Sequence, residues 1–258
     1  VKNKEDLVSK GLENLEKGEY ETALKMFTQA CDLGSSDAYF ILGYMYDHGD
    51  GVEQDYSKAA EFYGKACEMG DASGCYNLGL MFDNGDGVEQ DKIEAAELYK
   101  KACDGGIAEA CLNLGVMYAY GKGVEQDYLK AAEYYKKACD KGDAEVCHRL
   151  GSMYENGEGV EQDLSKAVEY YKIACDKGDA EVCHRLGSMY ENGEGVEQDL
   201  SKAIELYEKA CEGSYAPGYS SLGLMYENGR GVEQDLSKAF ELYEKACELG
   251  DTFGCYKL

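Results

Sequence analysis

Twelve cysteines are the most chemically suggestive side chains of this 258-residue chain. Ten of them form five pairs eight residues apart: Cys67/Cys75, Cys103/Cys111, Cys139/Cys147, Cys175/Cys183 and Cys247/Cys255. Regular pairing of thiols reads as a disulfide framework, and disulfides persist in oxidising compartments, so the spacing predicts a periplasmic or secreted protein. Two other readings use the same residues: zinc sites, which would want CxxC spacing or nearby histidine, and inert buried thiols, which need no regular pairing. Cys31 and Cys211 break the pattern, because Tyr39 and Tyr219 stand where their partners would be. The two lie five repeats apart, about 50 Å at 8–10 Å per helix layer, so they cannot bridge within one chain. They read as buried free thiols, with an intermolecular link as the alternative.

Other side chains offer less. There are three histidines. His48 falls in a loop; His148 and His184 occupy equivalent positions of two repeats, which stacking would hold about 15–20 Å apart, too far to share a metal. Acidic stretches recur as DHGDGVEQD from Asp47, DNGDGVEQD from Asp83, and ENGEGVEQD from Glu155 and again from Glu191. None has the D-x-D-x-D-G order and closing glutamate of an EF-hand, so they read as a solvated acidic ridge. No S-x-x-K, S-D-N, K-T-G or G-x-S-x-G motif occurs, which leaves a serine hydrolase without its activating groups. No catalytic residue, metal site or cofactor is expected.

The elements that must position the cysteines follow from a repeat. Residues 138–167 recur unchanged at 174–203, a 36-residue offset, and self-similarity at that period marks a stacked array of units. One repeat solenoid over 1–258 is expected. It comprises a short unit at 1–34, units at 35–70, 71–106, 107–142, 143–178, 179–214 and 215–250, and a partial helix at 251–258 that stops one residue before the expected mid-helix glycine. In the 143–178 unit, Asp143 caps a first helix whose apolar stripe is Ala144, Cys147, Leu150, Gly151 and Tyr154. Gly157 and Gly159 suit positive φ in the loop, Val160 can pin it to the core, and Asp163 caps a second helix carrying Ala167, Tyr171 and Ala174 inward. Mid-helix glycine costs roughly 1 kcal/mol against alanine, so the recurrence of Gly151 at 43, 79, 115, 187 and 223 implies close approach of the paired helix. Each cysteine pair then staples one unit to the next. A single proline, no tryptophan and no strand-like alternation fit an all-α fold.

Segments of the form LGxMYxNGxGVEQD followed by KAxExYxKAC resemble Sel1-like repeats over residues 35–250. Leu7, Gly11, Tyr20, Ala23, Phe27 and Ala30 give residues 1–34 the positions of a tetratricopeptide (TPR) repeat. With the cysteine pairs added, the chain is similar to the Helicobacter cysteine-rich proteins. That resemblance implies a disulfide-stapled αα-hairpin solenoid, a right-handed superhelix whose first helices line a concave groove holding an extended peptide through first-helix asparagines. On this face would lie Phe40, Tyr44, Tyr76, Asn77, Leu80, Leu112, Asn113, Val116 and Tyr120, then His148, Arg149, His184 and Arg185; packing against neighbouring first helices is the alternative for the aromatics. β-Lactam binding or hydrolysis is a second function implied by resemblance alone, and a purely structural assembly adaptor is a third.

Formal charge is −25, with 51 acidic against 26 basic residues, so nucleic acid and anionic lipid are disfavoured and a basic peptide or protein segment is the expected partner. No apolar run approaches the roughly 20 residues of a membrane span, and VKNKEDLVSKG lacks a signal-peptide core, so an exported form would have lost its leader. Oligomeric state is open on these residues.

Overall fold

The computed structural model of the chain describes residues 3–258; the first two positions of the expected N-terminal unit lie outside them. Among the described residues there are fifteen helices and no strand. In order they are α1 (Lys4–Glu16), α2 (Tyr20–Asp32), α3 (Ser36–His48), α4 (Tyr56–Glu68), α5 (Ala72–Asn84), α6 (Lys92–Asp104), α7 (Ala108–Tyr120), α8 (Tyr128–Asp140), α9 (Ala144–Asn156), α10 (Leu164–Asp176), α11 (Ala180–Asn192), α12 (Leu200–Glu212), α13 (Ala216–Asn228), α14 (Leu236–Glu248) and α15 (Thr252–Lys257). None is long and apolar enough to cross a membrane.

The recurrence of GVEQD has a direct physical cause. Its aspartate caps the second helix, as where Asp163 accepts from the Lys166 amide at 3.0 Å, and the same bond forms at Asp55, Asp127, Asp199 and Asp235. Its glutamine reaches back to an unpaired carbonyl at the end of the first helix. Gln162 Nε2 donates to the Glu155 carbonyl at 2.8 Å, and Gln54, Gln90, Gln126, Gln198 and Gln234 do the same in their units. The loop is thereby clasped at both helix ends. Its second glycine is needed for contact between repeats: at Gly87, with φ of 70°, a Cβ would stand 2.3 Å from the Tyr56 carbonyl carbon.

The core of each hairpin is built on one aromatic ring of the second helix, Phe27 over Gly11 in the first and a tyrosine in the others. Tyr63, Tyr99, Tyr135, Tyr171 and Tyr207 are fully buried. Each ring lies over the mid-helix glycine of its partner helix, so close that a Cβ on Gly151 would sit 2.5 Å from the Tyr171 ring. This is the close approach that the recurring glycine implied, made by a side chain.

Helix packing divides the chain into two compact units, one ending at Lys137 and the other beginning at Ala138. Within the first, helices pack on their sequence neighbours from α1 to α7; within the second, the same holds from α9 to α15. All five expected disulfides are present: Cys67–Cys75 joins α4 to α5, Cys103–Cys111 α6 to α7, Cys139–Cys147 α8 to α9, Cys175–Cys183 α10 to α11, and Cys247–Cys255 α14 to α15. Their Cα separations of 4.5 to 4.8 Å sit within the range a disulfide spans. Cys31 is a buried free thiol in the core formed by α1, α2 and α3, and Cys211 is a half-buried one. Where Cys211 lacks a partner, the Tyr219 hydroxyl donates to the Cys211 carbonyl at 2.8 Å. Burial pushes both thiols up to about 12, which leaves little reactive thiolate at neutral pH.

Candidate functional site

Each first helix buries the stripe that meets its second helix and leaves a half-exposed face beside it. In the first unit, the Phe40 ring packs 5.7 Å from Tyr63 and the Tyr76 ring 6.0 Å from Tyr99. The Asn113 side chain on α7 lies beside the phenol groups of both Tyr76 and Tyr99 of the preceding repeat. Asn77, Leu80, Leu112 and Val116 are half-buried on the same helices. Tyr44 is exposed and stacks on His48 at 4.0 Å, and Tyr120 is 64% exposed, with Lys122 Nζ 5.6 Å above its ring.

In the second unit the corresponding positions are polar and mutually bonded. Glu155 at the end of α9 accepts from the Tyr171 hydroxyl at 2.6 Å and from the Arg185 guanidinium of α11. Burial pushes the Glu155 carboxyl up, yet the Arg185 and Tyr171 hydrogen bonds and the Arg185 charge outweigh it and hold the group below its ordinary value. Glu191 repeats the arrangement with Tyr207 at 2.6 Å and Arg230 at 2.5 Å, and Glu227 repeats it with Tyr243 at 2.6 Å and Lys257 at 2.8 Å. His148 Nδ1 lies 3.2 Å from Asp179, while His184 Nε2 lies 2.9 Å from the Ser221 hydroxyl. Burial, followed by the Arg185 charge, pushes His184 below its ordinary value, so its ring is neutral at pH 7.

Two hollows open on this face. Exposed Arg149 lines the first, of about 290 Å³, with His148 and Glu145. The second, of about 360 Å³, lies between α9 and α11: Tyr215 gives it an aromatic wall, the otherwise buried Tyr171 reaches its edge, and Glu155, Glu181 and Arg185 supply its charges. His148 and His184 both line it, so stacking brings the two imidazoles to one cleft. Among the described residues no cluster of His, Cys, Asp or Glu has the arrangement of a metal site.

The acidic stretches are not simply a solvated ridge. Their first carboxylate (Asp47, Asp83, Glu155, Glu191) accepts a second-helix phenol, and their last caps a helix; acids between them, such as Glu158 and Glu161, face solvent. The sequence carried a signal for this pairing: an acid recurs 16 residues before the buried tyrosine at 47, 83, 155, 191 and 227, and alanine interrupts it at 119.

Hairpins of this kind, repeated with one polar or aromatic side face and bridged at every junction but two, define an α-helical repeat solenoid of the interaction class. The chain belongs to the Sel1 repeat family: Sel1 repeats match residues 8–35, 36–71, 72–107, 108–143, 144–179, 180–215 and 216–251. A protective antigen of uropathogenic Escherichia coli with an SLR fold is 31% identical over 98% of this chain, with a TM-score of 0.82. The chain spans 55% of that protein's length. A Sel1 repeat protein from Oxalobacter formigenes is 33% identical, with 93% of this chain and 99% of the other covered and a TM-score of 0.64. Cysteine-rich protein B of Helicobacter pylori is 35% identical over 52% of this chain and 96% of its own, with a TM-score of 0.41. No curated protein matches the chain. Sel1 repeat proteins are in general non-enzymatic scaffolds for protein–protein interaction.

Proposed function

We propose that this chain is an extracytoplasmic scaffold that holds an extended, basic peptide or protein segment against the half-exposed faces of its first helices. The observation that carries the reading is the run of aromatic and amide side chains left accessible on α3, α5 and α7, with Tyr44 and Tyr120 unburied. Exposed aromatic surface favours contact, and an amide side chain can pair with both N–H and C=O of an extended backbone. Five disulfides support an oxidising compartment, and a net charge of −25 favours a basic partner.

Asn77→Ala combined with Asn113→Ala tests it. Binding of a library of extended synthetic peptides is expected to weaken about tenfold, the loss of one to two hydrogen bonds, while helicity by circular dichroism is unchanged. Unchanged affinity with unchanged helicity would refute the assignment of these faces.

A further inference from the structure

The geometry points to the cleft between α9 and α11 as a socket for one lysine or arginine side chain of the bound segment; this rests on the peptide-holding reading above. At about 360 Å³ the cleft lies at the small end of ligand clefts, which run from about 300 to 1,000 Å³. Its charges select the sign of the occupant. The Arg185 guanidinium is committed to Glu155, which also holds the Tyr171 hydroxyl, so that pair is neutral and already hydrogen-bonded. Glu181 is exposed on the same cleft and forms no ion pair among the described residues. Asp251 adds its negative field at His184. An anion would therefore meet an unopposed carboxylate, whereas an ammonium or guanidinium would meet Glu181 with the Tyr215 ring beside it.

A second, independent observation marks the same place. Positions 71, 143, 179 and 251 hold aspartates that cap their first helices, whereas Ile107 and Tyr215 stand at the equivalent positions before α7 and α13, neither of which has a side-chain cap. The ring packs instead 5.5 Å from His184, at the cleft wall. Of the two uncapped positions, this one puts an aromatic ring on the wall of the cleft.

The test uses the whole oxidised chain and a positional-scanning library of N-acetylated, C-amidated nine-residue peptides, with norleucine as the uncharged match for lysine. Wild type is expected to prefer lysine or arginine over norleucine at one position by about fivefold or more, as a partly desolvated ion pair supplies. Glu181→Gln should erase the preference, and Glu241→Gln, an exposed acid on α14, should leave it. Tyr215→Asn restores a capping residue, so it should raise the unfolding midpoint while lowering the preference, an outcome no purely structural role for the tyrosine produces. Peptides bound without basic preference, or equal effects of Glu181→Gln and Glu241→Gln, would overturn the socket and leave the peptide-holding reading standing. Retention of no peptide by wild type would overturn both.

Discussion

Reduction of the five disulfides is expected to lower stability by about 2.6 kcal/mol per bridge, the chain-entropy value for a closed loop of nine residues, which native strain would lessen. Five such contributions approach the whole of a typical domain's stability of about 5–15 kcal/mol, so reduced protein should unfold tens of degrees below oxidised protein. The architecture is why the effect is large. A repeat array has few contacts beyond nearest neighbours, and each bridge crosses one junction between hairpins, for example α4 to α5 or α10 to α11. Thermal unfolding with and without a phosphine reductant, paired with intact mass after alkylation, checks it. The expected result is five bridges, with Cys31 and Cys211 labelled only after denaturation, because both are shielded and their pKa values are pushed up to about 12 by burial. Twelve alkylated cysteines in unreduced protein, or an unmoved midpoint on reduction, would contradict the staple.

Gly151→Ala sets local propensity against packing. On an isolated helix the change would stabilise by about 1 kcal/mol. Here the new methyl would lie 2.5 Å from Tyr171 Cδ1, and the ring cannot swing away without losing its 2.6 Å bond to Glu155 and its buried seat. Overpacking of this kind costs about 1–3 kcal/mol, and with a rigid ring at this distance the cost outweighs the propensity gain, so the variant is expected to be destabilised. Tyr171→Leu in the same background should recover part of the loss, and a double-mutant cycle in chemical denaturation measures the coupling. A more stable Gly151→Ala protein would mean that the ring does not occupy this seat.

The sequence disclosed what repeats and concealed what reaches between repeats. Asp143 and Asp163 as caps, Gly157 and Gly159 in the loop and the five cysteine pairs all follow from local rules acting within a few residues. Gly151 could be read as a close approach, but its partner, the Tyr171 ring, is 20 residues away and no local pattern names it. The bond from Arg185 to Glu155 spans 30 residues and depends on how α11 lies against α9, a packing fact. Both His148 and His184 line one cleft for the same reason. Periodicity identifies which positions leave the core; it says nothing of which of those positions find each other.

The scaffold reading turns on which helix faces touch the partner. Peptides from the library that carry a benzoylphenylalanine photo-crosslinker, bound to the oxidised chain and mapped by mass spectrometry, measure that directly. Adducts are expected on the first helices, at residues of α3, α5, α7, α9 and α11 such as Tyr44, Leu80, Val116 and Ser188, and to be competed by unlabelled peptide. Adducts confined to the second helices α4, α6, α8, α10 and α12, or no competable adduct at all, would contradict it.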